Sequence, residues 1–145
     1  MRLDPAFRFA LYGALALLVV TGAVWLVADP LKDSSDGEWW QQVAASTLMV
    51  HGGVAMVTLI FLGALIPVHI RLGWRSGRNR LTGPAMISIN AALILTAFGL
   101  YYLGSDALRP WTSNVHTVIG FVLPALLVIH IMLGRRSRPK NGTAE

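Results

Sequence analysis

Four long apolar runs, separated by short polar stretches, set the pattern of this 145-residue chain. The runs fall at about 7–27, 43–70, 84–103 and 115–133. A bilayer core needs roughly 20 apolar residues at 1.5 Å rise per residue, and each run meets that length. The stretches between them carry turn residues: Asp29-Pro30, Asp33-Ser34-Ser35-Asp36-Gly37, Ser76-Gly77-Arg78-Asn79 and Gly104-Ser105-Asp106. The pattern predicts an all-α integral membrane protein. Four transmembrane helices alternate up and down as one bundle, a single domain over residues 1–145. Thr82-Gly83-Pro84 and Thr112-Ser113-Asn114 read as capped starts of the third and fourth helices.

Composition agrees with the pattern. Apolar residues make up 54% of the chain and charged residues 13%, about half the usual share for a soluble domain. That excludes both a soluble domain of ordinary composition and a disordered chain. The net charge of +5 does not indicate a nucleic-acid partner, because the charges sit in short clusters between apolar runs.

The clusters instead predict topology. Ten of the twelve basic residues lie at the two ends and in the middle loop: Arg2, Arg8, Arg71, Arg75, Arg78, Arg80, Arg135, Arg136, Arg138 and Lys140. Lys32 and Arg109 lie in the other two loops, among Asp29, Asp33, Asp36, Glu38 and Asp106. The positive-inside rule then puts both termini in the cytoplasm, with the acidic loops facing the periplasm of a bacterial inner membrane. Trp39, Trp40, Tyr101, Tyr102 and Trp111 gather at the outer ends and Trp74 at the inner end, as an aromatic belt would. The first run is longer than the core of a signal peptide and lacks a clean small-x-small site, so it reads as a retained span.

The chemistry rests on four histidines, all within the second and fourth runs. Ionisable side chains inside a bilayer are costly and mark functional sites by default. His51 and His69 are 18 residues apart, which is five turns of a straight α-helix; His116 and His130 are 14 apart, close to four turns. Each pair therefore shares a helix face. In the predicted bundle His51 faces His116 near the outer side, and His69 faces His130 near the inner side.

With no cysteine in the chain, thiolate sites and covalent haem attachment are excluded. Two imidazoles from facing helices suit the iron of a non-covalent haem b, and no third carboxylate or thiolate completes a zinc site. The expectation is two haems, or one if the inner pair fails. The ligand separations differ, about 27 Å on the second helix against about 21 Å on the fourth. A bend at Pro67 and helix tilt are needed to reconcile them.

Trp111-Thr112-Ser113-Asn114-Val115-His116, followed after thirteen residues by His130, resembles the last helix of bacterial b-type cytochromes. The plan is similar to that of di-haem cytochrome b and of cytochrome b-561-like proteins. The 18-residue step from His51 to His69 departs from the di-haem pattern. The resemblance implies haem b, electron transfer, a quinone, and a periplasmic redox protein or larger oxidoreductase complex as partner.

Three further residues bear on the site. Gly120, one turn after His116, leaves room for a flat macrocycle or for helix packing. Arg109, near His116, suits a haem propionate or a snorkelling role. Asn90 suits a hydrogen bond to another helix first, and otherwise to a backbone carbonyl or a haem propionate. A reading from another class remains: a non-redox membrane anchor or assembly subunit, or a proton or metal carrier using histidines as relays. No nucleophile–base pair, intramembrane carboxylate pair or phosphate loop is present in the sequence.

Overall fold

The computed structural model describes residues 4–77 and 80–136. Arg2, Arg78, Arg138, Lys140 and Asn79, part of the charge and turn readings above, lie outside them. All regular structure among the described residues is helical: α1 (Pro5–Ala28), a 3₁₀ turn (Pro30–Asp33), α2 (Gly37–Leu65), a π turn (Ile66–Ile70), α3 (Arg71–Arg75), α4 (Thr82–Tyr102) and α5 (Leu108–Arg136). Four helical stretches are long and apolar enough to cross a membrane: Pro5–Asp33, Gly37–Arg75, Thr82–Tyr102 and Leu108–Arg136. Each overlaps one predicted run. Three reach further into the polar flanks, because backbone groups near the membrane interface gain by pairing within a helix.

The chain divides into two compact units at His69/Ile70. In the first, α1 packs against α2. Asp4 caps α1 by accepting from the amides of Ala6 (2.9 Å) and Phe7 (3.2 Å), with Pro5 at the first helical position. After Ala28, the 3₁₀ turn carries the chain round, with an exposed Lys32–Asp29 ion pair at 2.5 Å. The turn closes against Gly37, where a Cβ would collide with the carbonyl of Lys32. Phe7 and Phe61 meet edge to face, ring centroids 5.3 Å apart, toward the other end of the hairpin.

Pro67 explains how α2 ends. Its ring conflicts with the carbonyl four residues back, at Gly63, and it brings no N–H. The helix relaxes into the π turn over Ile66–Ile70 before resuming as α3. The count of five straight α turns from His51 to His69 therefore does not apply across this turn.

In the second unit α4 packs against α5. Gly77 takes a positive φ of 66° in the turn ahead of α4, a conformation that suits glycine. Neither predicted cap is used. α4 begins at Thr82, but Leu81 stands at the cap position without a side-chain bond. The Thr82 hydroxyl is engaged by His130 instead. α5 begins four residues before Thr112, at Leu108, whose amide donates to Ser105 Oγ (3.3 Å). Thr112 lies inside the helix and donates to the Leu108 carbonyl (3.0 Å). Pro110 permits the early start, since an amide in the first turn has no intrahelical acceptor.

Burial is inverted relative to a water-soluble fold. Among the described residues the buried apolar ones are Leu11, Ala28, Ala44 and Leu123, whereas Met49, Ile60 and Leu95 are each at least 70% exposed. Such a surface matches a bilayer, where lipid tails solvate apolar side chains as well as protein does. The buried polar residues are Thr21, Thr58 and Thr82.

Candidate functional site: threonine-held histidines

His51 is held from α1. Its Nδ1 lies 2.9 Å from Thr21 Oγ1. The Thr21 hydroxyl itself lies 2.7 Å from the carbonyl of Leu17 and 3.1 Å from that of Leu18. A hydroxyl has one proton, and an O···O distance of 2.7 Å to a carbonyl commits that proton to it. Nδ1 of His51 is therefore the donor and Thr21 the acceptor. Gly22 lies beside the ring: a Cβ there would stand 3.7 Å from His51 Cε1, an ordinary contact.

His116 repeats the arrangement from α4. Its Nδ1 lies 2.9 Å from Thr96 Oγ1. The Thr96 hydroxyl is 2.7 Å from the Ala92 carbonyl and 3.1 Å from the Leu93 carbonyl. The same proton count makes the imidazole the donor. His130 is 3.0 Å from Thr82 Oγ1 through Nδ1.

The two α4–α5 pairs share one antiparallel register: 14 residues separate Thr82 from Thr96, and 14 separate His116 from His130. They stand about 21 Å apart along the hairpin. Between them, Gly120 faces α4, where a Cβ would meet Leu93 Cδ2 at 3.9 Å. Pro124, one turn later, cannot donate to the Gly120 carbonyl.

The other sequence candidates are placed less tightly. His69 sits exposed on the π turn. Arg109 is exposed in the first turn of α5. Of the partners open to Asn90 it takes a backbone carbonyl rather than the favoured second helix: its amide donates to the Met86 carbonyl of its own helix (2.8 Å). Between α1 and α2, Gly13, Leu17, Gly53, Val57 and Phe61 help line an apolar groove that sequence reading did not single out.

Sequence reading also passed over Thr21, Thr96 and Thr82 as histidine partners. Two of them carried a signal: the 14-residue step between Thr82 and Thr96 equals the step between the histidines. Thr21 had no such marker.

The donor set fits an axially ligated metal better than a closed cage. Among the described residues no group of three or more His, Cys, Asp or Glu side chains comes together. Haem iron asks the protein for one or two axial ligands, and an imidazole that donates through one nitrogen carries its lone pair on the other.

The chain is similar to heme A synthase from Methylobacterium sp. (strain 4-46), with 27% identity over 147 residues, covering 94% of this chain. The match spans 36% of that relative's length. No family model and no solved structure matches the chain. The four long apolar helices are those of a multi-pass membrane protein.

Proposed function

We propose that the chain is a b-type membrane cytochrome that carries electrons between a quinone pool and a redox protein partner. The observation that carries this reading is the histidine placement on α5: two imidazoles about 21 Å apart, each anchored through Nδ1 by an α4 threonine. The similarity to heme A synthase supports a haem-related role.

In this reading the four helices form one domain with both termini cytoplasmic. His51 and His116 hold an outer haem b, and His69 and His130 an inner one. Bound there, haem b supplies a reversible one-electron iron couple. The chain's residues provide the rest. The threonine hydroxyls of α1 and α4 orient the rings of His51, His116 and His130 through Nδ1. Arg109 offers a guanidinium for a propionate at the outer side. Gly120 keeps α5 thin beside His116. The acidic outer loops, with Trp39 and Trp111 at the interface, present the docking face for a periplasmic partner.

The test is the reduced-minus-oxidised spectrum of the purified chain in lipid vesicles, with a quinol as reductant. A b-type difference spectrum that develops on adding quinol supports the reading. A colourless protein overturns it in favour of an anchor or a histidine relay.

A further inference from the structure

We propose that Thr21 and Thr96 are positioning residues that fix the histidine tautomer and set ligand strength at the haem sites. The inference rests on the haem reading above and adds residues on neighbouring helices that act through the ligands.

Thr21 and Thr96 each spend their hydroxyl proton on a backbone carbonyl at 2.7 Å. Each then accepts from a histidine Nδ1 at 2.9 Å. This places the basic lone pair of His51 and of His116 on Nε2, the ring nitrogen farther from the backbone. Isolated imidazole has no strong preference between tautomers, so the threonine imposes one.

The relay also strengthens the ligand. A hydroxyl already donating to a carbonyl is polarised and becomes a better acceptor. Pulling on Nδ1–H makes Nε2 more basic, as outer hydrogen bonds do for metal-bound histidines generally. A more basic imidazole favours ferric over ferrous iron and so lowers the midpoint potential.

A threonine that only packed or bent its own helix would need no histidine within reach. Thr58, which donates to the Val54 carbonyl at 2.8 Å, shows back-bonding on its own helix. Thr21 and Thr96 make that bond and hold an imidazole across the hairpin as well.

The experiment uses the purified chain with ¹⁵N-labelled histidine, alone and loaded with haem, as wild type, Thr96→Val and Thr96→Ser. In wild type without haem, the His51 and His116 ring shifts are expected to show protonated Nδ1 and unprotonated Nε2. In Thr96→Val at saturating haem, an upward shift in the midpoint potential of the outer haem is expected. Haem affinity is expected to fall on the order of 10-fold. Thr96→Ser, which keeps the hydroxyl, restores both.

A protonated Nε2 in wild type overturns the tautomer assignment. Full haem binding with an unmoved potential in Thr96→Val overturns the positioning role alone. A wild-type chain that takes up no haem overturns the haem reading and the tuning role with it.

Discussion

Thr96 on α4 accepts a hydrogen bond from Nδ1 of His116 on α5 at 2.9 Å, while giving its own proton to the Ala92 carbonyl one turn back. That relay links a helix with no histidine to one with two. It makes the α4–α5 hairpin a unit that orients two candidate ligands, with Thr82 and His130 repeating the pairing 14 residues away.

The repeat lets the two sites be separated by mutation. His116→Ala removes the outer α5 ligand and leaves the Thr82–His130 pair untouched. Haem content is expected to fall from two per chain to one, with the remaining haem keeping its spectrum. Loss of neither haem would break the proposed pairing of His51 with His116.

Thr82→Val tests what the inner pair contributes to stability. Valine keeps the shape but leaves the His130 Nδ1 without the Thr82 hydroxyl. Interhelical hydrogen bonds of this kind contribute about 0.6 kcal/mol on average and up to about 1.7. A loss in that range is expected when the variant is unfolded by detergent titration. A loss well below it would make the contact incidental.

Gly37→Ala addresses the turn that closes the first hairpin. The added methyl would strike the backbone carbonyl of Lys32, which cannot rotate aside as a side chain can. Overpacking of this sort costs about 1–3 kcal/mol. Thermal unfolding in detergent should show a lowered midpoint, whereas Gly53→Ala, where a Cβ would meet nothing within 4 Å, should leave it nearly unchanged.

Topology follows from charge and is tested separately. Reporter fusions placed in the loop at 103–107 are expected to be active only as periplasmic reporters. Fusions after Arg136 are expected to be active only as cytoplasmic ones. The reverse pattern would invert the inner and outer assignments of the histidine pairs.

Much of the fold was legible because bilayer length and turn chemistry are written plainly in the sequence. The four spans and the break near Pro67 follow from apolar run length and one missing N–H. Local hydrogen bonding was less legible. Thr82 has the composition of a cap, yet its hydroxyl serves His130, because an imidazole across the hairpin competes for the same oxygen. Asn90 turned back to Met86 for the same kind of reason, since a helix carbonyl lies within reach of a short amide side chain. The face shared by His51 and His69 depended on ideal α geometry, and the π turn removed that premise. The candidate ligands could be listed from the sequence, but the threonines that orient them required knowing which helices touch.

The most direct measurement is a pyridine haemochrome count on the purified chain, referenced to protein by amino-acid analysis. The account predicts two haem b per chain. A count of one would remove the inner pair of His69 and His130, and a count of zero would contradict the central claim.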